Sequence, residues 1–266
     1  MGTLDGTTSL VTGASRGLGR AIALRLAAEG SLVMVHYGAN ERAAQDVVAR
    51  ITGAGGAAFA VGTQLGTAGD ADGLWAGVDA GLAERGARPG IDILVNNAAI
   101  GGATPTLATA QPDDFDALFA VNVKAPFFVV QRGSDRIRDG GRIVNISSVS
   151  TRIALPDVLA YAMTKGAIET FTVTLAQELG ERGITVNAAR PGTSATEANL
   201  AWFDAHPEVR AFVQGISALR RVGEPEDVAD VVAFLASPAA RWVTGQVIDA
   251  SGGAHLGATV GLSPGT

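Results

Sequence analysis

The stretch Ser9-Leu10-Val11-Thr12-Gly13-Ala14-Ser15-Arg16-Gly17-Leu18-Gly19-Arg20-Ala21-Ile22-Ala23-Leu24-Arg25-Leu26 decides the fold. A short apolar run, Ser9–Thr12, has strand character and stops at a turn carrying three glycines. A helical run follows, from Arg20 to Leu26. Glycine permits the tight turn and lets other backbone approach the start of the helix. A helix N-terminus presents unpaired N–H groups and a partial positive charge, a combination suited to a diphosphate. The pattern predicts a strand, an anion-binding turn and a helix in immediate succession.

Outward from this unit the alternation repeats. Strand-like runs fall at Leu32–His36, Ala57–Val61, Ile91–Asn96, Arg142–Ile146, Thr185–Ala189 and Gln246–Asp249. Helix-length segments lie near 17–29, 41–53, 70–85, 112–138, 158–182 and 225–236. The strands are short and apolar without strict alternation, as parallel strands buried on both faces are. The expectation is an α/β protein with one doubly wound (Rossmann) parallel sheet of about seven strands flanked by helices. No linker or low-complexity tract divides the chain, so residues 1–266 read as a single domain. Gln111-Pro112-Asp113-Asp114 puts proline at a first helical position with acids in the first turn. Gly73, Gly77 and Gly81 fall four apart and predict a smooth strip where the 70–85 helix lies close to the sheet. Residues 192–220 read as irregular and carry Trp202, Phe203, His206, Pro207 and Phe212 directly after a strand. Open α/β sheets bind ligands beyond the carboxyl ends of their strands, so this insertion is a candidate substrate lid.

The 266 residues are 47% hydrophobic and 17% charged, enough apolar material for a large core and too much for a disordered chain. A formal net charge of −6 argues against a nucleic-acid surface. The absence of cysteine excludes disulfides, thiol nucleophiles and Cys-ligated metals. His36, His206 and His255 are scattered, so no metal is expected. The N-terminus has no secretory or myristoylation pattern, and no apolar run is long enough to span a membrane. The expectation is a cytoplasmic protein with no membrane partner.

The residues around the turn bear on which dinucleotide binds. An NAD site usually has an Asp or Glu at the end of the second strand to hold the ribose 2′-hydroxyl. Here that strand ends Val35-His36-Tyr37-Gly38-Ala39-Asn40, with no acid before Glu41. Arg16 lies inside the glycine turn, within reach of a 2′-phosphate. A missing acid with an available arginine favours NADP(H). NAD(H) is the alternative.

Tyr161 and Lys165 stand four apart on a helical run and so share one face. The chain has only two tyrosines and two lysines against eighteen arginines, so a lysine at this place is a specific choice. Lowering a phenol pKa by about three units takes about 4 kcal/mol. A cation about 4 Å away supplies about that much at an effective dielectric near 20. Ser148 follows a strand end, thirteen residues before Tyr161, and Asn96-Asn97-Ala98 ends another strand at the same edge. Pro126 lacks an N–H and clashes with the carbonyl four residues earlier, which is that of Asn122. That carbonyl is thereby free to hold a relay water, or the proline marks a packing kink.

Together these residues resemble the short-chain dehydrogenase/reductase family. The resemblance covers essentially the whole chain. It rests on Thr12-Gly13-x-x-x-Gly17-x-Gly19, Asn96-Asn97-Ala98, Asn122, Ser148, Tyr161-x-x-x-Lys165 and Pro191-Gly192-x-x-x-Thr196. The glycine turn looks most like those of 3-oxoacyl-carrier-protein reductases and polyketide-type ketoreductases. The resemblance implies a catalytic set of Asn122, Ser148, Tyr161 and Lys165. Tyr161 would be the general acid/base, and Lys165 would bind the nicotinamide ribose and lower the tyrosine pKa. Ser148 would orient the substrate oxygen, and Asn122 would hold a water linking Lys165 to solvent. The implied cofactor set begins with Gly13, Ser15, Arg16, Gly17, Leu18 and Gly19. It continues with Tyr37, Asn40, Gln64, Leu65, Asn96 and Ala98, and ends with Pro191, Gly192, Ser194 and Thr196. Tyr161 and Lys165 belong to both sets. The sequence departs from the family pattern at Ala99, Gln64 and Ser194, none of them catalytic. The implied activity is NADP(H)-dependent interconversion of a ketone and a secondary alcohol by a homo-oligomer, tetramer or dimer. An NAD-preferring alcohol dehydrogenase and a non-catalytic nucleotide sensor on the same fold are the alternatives.

Overall fold

The computed structural model describes residues 2–101 and 106–256. Seven parallel strands form one sheet in the order β3-β2-β1-β4-β5-β6-β7. They are β1 (Thr8–Val11), β2 (Leu32–Tyr37), β3 (Ala57–Gly62), β4 (Ile91–Asn96), β5 (Ile137–Ile146), β6 (Thr185–Pro191) and β7 (Val247–Ala250). The strand order reverses beside β1, which pairs with both β2 and β4. The carboxyl ends of β1 and β4 therefore diverge into a crevice, where such sheets bind ligands.

Helices cover both faces of the sheet. On one face α1 (Gly17–Ala28), α2 (Glu41–Gly53) and α9 (Pro225–Ala236) pack through Ile22, Leu26, Val47, Val228 and Val232 onto Val33, Val35 and Val95. On the other, α3 (Asp70–Glu84), α5 (Ala125–Arg132) and α6 (Leu159–Glu178) bury Leu74, Trp75, Val129 and Ala176 against Leu10, Leu94 and Val186. The glycine strip of α3 lies on β3, where a Cβ at Gly77 would come within 2.8 Å of Val61 and one at Gly81 would overlap Phe59. No helix among the described residues is long and apolar enough to cross a membrane.

Two segments differ from the sequence expectation. The predicted 112–138 helix is three pieces. First, α4 (Pro112–Phe119) opens with a capping box in which Asp114 accepts from the Gln111 N–H at 3.1 Å. A π turn follows at Ala120–Lys124, and then α5. Pro126 cannot donate to Asn122 in α-helical register, and the chain widens just ahead of it, with the Ala125 N–H on the Ala120 carbonyl. Strand β5 then begins at Ile137, inside the predicted helix, because α5 stops at Gly133. There is no room for a side chain at Gly133, where a Cβ would overlap the Trp75 ring. The 192–220 segment is not irregular but holds two helices, α7 (Glu197–Ala205) and α8 (Pro207–Ile216). They close on a small core of their own, Phe203, Val213 and Val222, separate from the two main ones.

Candidate active site

The glycine turn sits at the β1 end of the crevice. Gly13 and Gly17 have φ of 64° and 55°, which side-chain-bearing residues rarely adopt. A Cβ at Gly13 would lie 2.9 Å from the Ala98 Cα, and one at Gly19 would overlap the Gly13 carbonyl. The start of α1 has no side-chain cap from Arg16, and Arg16 itself is exposed. A tightly wound, uncapped helix N-terminus at a sheet edge fits a diphosphate in both space and charge.

Three side chains that the sequence analysis did not assign hold this turn. Asn97 Nδ2 donates to the carbonyls of Thr12 at 2.8 Å and Gly13 at 3.1 Å. Thr12 Oγ1 accepts from the N–H groups of Asn97 at 2.9 Å and Ala98 at 3.0 Å. His36 is buried at the end of β2. Its Nδ1 accepts from the Gly13 N–H at 3.0 Å, so its Nε2–H donates to the Thr63 carbonyl at 2.8 Å. Burial lowers its pKa, so the imidazole stays neutral and keeps that tautomer. The signal for Asn97 lay in the Asn-Asn-Ala run. For His36 it was a histidine closing an apolar strand.

The remaining nucleotide residues divide by environment. Tyr37 is partly buried over Gly62, and Gln64 lies exposed against Gly38. Thr196 caps α7 and faces Gly17, with its Cγ2 3.4 Å from the place of a Cβ there. Glu197 forms an ion pair with Arg20, tying α7 to α1. Ser194 is buried beside Gly192. Other expected cofactor side chains point elsewhere. Asn40 caps α2 by accepting from the Ala43 N–H. Leu65 packs into the core. Asn96 donates to Asn145 Oδ1 at 2.9 Å beneath the sheet edge.

At the β5 end, Ser148, Tyr161 and Lys165 come together as expected. Ser148 stands beside the Tyr161 phenol, near enough to favour its ionised form. Ser148 Oγ also accepts from Ser150 Oγ at 3.0 Å and Ser150 N–H at 3.2 Å, so its own hydrogen is what it has left to offer. Lys165 is buried, with its Nζ 5.5 Å from the centre of the Tyr161 ring and donating to the Ile146 carbonyl at 2.9 Å. Burial pulls its pKa down to about 8. The ammonium lies toward the ring and the Ile146 carbonyl, and the Tyr161 pKa is raised. Burial pushes the phenol up, and the Ser148 hydroxyl offsets part of that.

The Asn122 side chain is engaged within the protein. Its side-chain Oδ1 accepts from the Ile100 N–H, and its Nδ2 donates to the Ile100 carbonyl, both at 2.9 Å. The same Nδ2 reaches Thr164 Oγ1 at 3.2 Å, and Thr164 donates to the Tyr161 carbonyl at 2.7 Å. The amide thus ties the end of β4 to the helix carrying Tyr161. Just beyond, Gly101 touches the tyrosine, where a Cβ would stand 2.9 Å from the ring. No cluster of potential metal ligands occurs among the described residues.

Comparison with known proteins places this arrangement in a family. Residues 13–255 match the family described as enoyl-(acyl carrier protein) reductase. An uncharacterised oxidoreductase of Methylorubrum extorquens is 41% identical over 253 residues, covering 95% of this chain and 99% of the relative. Versicolorin reductase stcU of Emericella nidulans is 38% identical over 261 residues, covering 94% and 96%. Among solved structures, LugOII, described as a promiscuous reductase catalysing keto-reduction at C1 during lugdunomycin biosynthesis, superposes with a TM-score of 0.92. It is 50% identical and the match covers 95% of this chain and 99% of that one. The angucycline C-6 ketoreductase LanV with bound NADP gives a TM-score of 0.91 at 50% identity, covering 96% and 98%. The chain belongs to the short-chain dehydrogenase/reductase family of oxidoreductases.

Proposed function

We propose that the protein is an NADP(H)-dependent ketoreductase acting on an extended, largely apolar ketone of the polycyclic aromatic kind, with Tyr161 as proton donor. The observation that carries this reading is the Ser148–Tyr161 hydroxyl pair beside the buried Lys165, at the carboxyl edge of the sheet. Two hydroxyls at one point suit a carbonyl oxygen that gains charge and then a proton. Ser148, already accepting from Ser150, donates to that oxygen and orients it. A raised phenol pKa keeps Tyr161 protonated at neutral pH, which is the state reduction requires. Bound nicotinamide cofactor supplies the hydride. Gly13, Gly17, Leu18, Gly19 and Thr196 would hold its diphosphate, Arg16 a 2′-phosphate, and Lys165 the nicotinamide ribose. Asn122 keeps the tyrosine helix in register, and its backbone carbonyl is assigned the relay water.

The substrate class draws support from LugOII and LanV, and from apolar side chains left exposed near Tyr161 and on the two-helix insertion. These include Leu155, Leu159, Met163, Trp202 and Phe212. The insertion is assigned the role of a substrate lid, with residues 1–266 acting as one nucleotide-binding domain and the protein as a homo-oligomer. The test is a panel of aromatic polycyclic ketones, simple 3-oxo esters and enones with NADPH and NADH, followed by nicotinamide absorbance. The expected result is turnover of polycyclic ketones with NADPH preferred, a preference that Arg16→Ala weakens. Turnover of enones alone, or equal use of the two cofactors by the parent protein, would overturn the reading.

A further inference from the structure

One carboxylate outside the reacting set gathers more partners than its position on a helix surface explains. Glu169 lies on α6, one turn beyond Lys165 and two beyond Tyr161. Its Oε1 accepts from Ser147 Oγ at 2.7 Å, Thr151 Oγ1 at 2.8 Å and Arg190 Nε at 2.9 Å. Its Oε2 accepts from Arg190 Nη2 at 2.9 Å. The Arg190 side chain is 6% exposed and that of Glu169 19%. A charge pair so far removed from water costs desolvation that its own attraction only partly repays, so its presence calls for another reason.

The positions of the partners supply that reason. Ser147 and Thr151 bracket the short turn that carries Ser148. Arg190 is the residue before Pro191–Gly192, at the end of β6. One carboxylate thus joins the serine turn, the tyrosine–lysine helix and the strand leading to the nucleotide loop. The chemistry requires an ionised acid, because three donors meet on one oxygen and only a carboxylate accepts on both sides without offering a hydrogen. Burial pushes the Glu169 pKa up, but the bonds from Arg190, Ser147 and Thr151 more than reverse this and hold it below the usual carboxylate range. The Thr151 hydroxyl also lies 2.9 Å from the Ser148 carbonyl, so its single hydrogen is shared between that carbonyl and Glu169.

We propose that Glu169, charge-paired with Arg190, is a positioning residue that fixes the Ser147–Thr151 turn and thereby sets where the Ser148 hydroxyl stands beside Tyr161. The proposal rests on the ketoreductase reading for its kinetic arm and stands apart from it for its spectroscopic one. The decisive variants remove single hydroxyls or the charge: Thr151→Val, with Thr151→Ser as the conservative control, and Glu169→Gln. In Thr151→Val, kcat for ketone reduction is expected to fall about tenfold, the scale of a small misplacement of reacting groups. KM for NADPH should stay within about twofold, and Thr151→Ser should restore turnover.

The second arm needs neither cofactor nor ketone. The chain has two tyrosines, so NMR of ring-labelled tyrosine gives two signals, assigned with Tyr161→Phe. The Tyr161 signal should move in Thr151→Val and Glu169→Gln while that of Tyr37 stays. If Glu169→Gln fails to fold, the threonine pair decides. Folded Thr151→Val with parental kcat and an unmoved Tyr161 signal would overturn the proposal. If the parent protein reduces no ketone, the function reading fails and the NMR arm still judges the positioning role.

Discussion

Lys165 shows what the site costs its own fold. In the unfolded chain this amine titrates near 10.5, and in the folded protein near 8. Between those values the unfolded chain binds more protons, so stability rises with pH over that window, and below it the folded state carries the full penalty. The penalty is on the order of 3 kcal/mol at neutral pH. Lys165→Met removes it and loses a hydrogen bond of about 1–2 kcal/mol to Ile146. The variant should therefore melt about 3–6 °C higher at pH 7 and reduce no ketone. A thermal melt beside a turnover assay checks this, and a destabilised variant would show that the burial penalty is misjudged. In the parent enzyme, reduction should weaken as pH rises through about 8 and the ammonium is lost. The meeting of Ser148, Tyr161 and Lys165 was legible in the sequence because motif spacing and strand ends constrain it. The direction of the tyrosine pKa was not, because it is set first by how deeply the folded chain buries the phenol.

At the scale of elements, the π turn at Ala120–Lys124 is the clearest departure from regularity. Such turns concentrate at functional sites, since they displace one residue from the helical ladder. Here that region presents Asn122 to both Ile100 and Thr164. Pro126→Ala restores an N–H that can bond Asn122 and return the segment to α-helical register. The expected outcome is an unchanged or higher melting temperature with reduced turnover. Lower stability with unchanged turnover would make the proline a packing device only. Pro126 marked an irregularity here, but a helical hydrophobic pattern cannot distinguish a widened turn from a kink. The end of α5 at Gly133 was equally hidden, because the Trp75 ring that excludes a side chain there comes from a helix more than fifty residues earlier. Local signals did carry the helix start at Pro112 and the glycine face of α3.

For the whole molecule, the strand order follows from the alternation of short apolar runs with helices, since right-handed crossovers leave few ways to arrange seven parallel strands. What lies against the outer surface is not encoded that way. Phe127, with Asp116, Phe119, Val123 and Phe128, lines an open groove of about 540 Å³ on α4 and α5, and Val173 is exposed on neighbouring α6. Near the β7 edge of the sheet Trp242 is 96% exposed. Apolar surface of this kind is costly in water and suits contact between copies of the chain. Light scattering should give a mass at least twice the 26.9 kDa of one chain, and Phe127→Asp or Trp242→Asp should lower it. A parent protein that runs as a single chain would rule the assembly out.

The shortage of lysine has a practical use. With Lys165 sealed inside, Lys124 at the end of the π turn is the only side-chain amine open to reagents. An amine-directed fluorophore, with the α-amine's share set apart by peptide mapping, would therefore mark one known side chain on the rim of the Phe127 groove. Slower tagging at high protein concentration would then report, without any catalytic assay, how much of that rim a neighbouring copy covers.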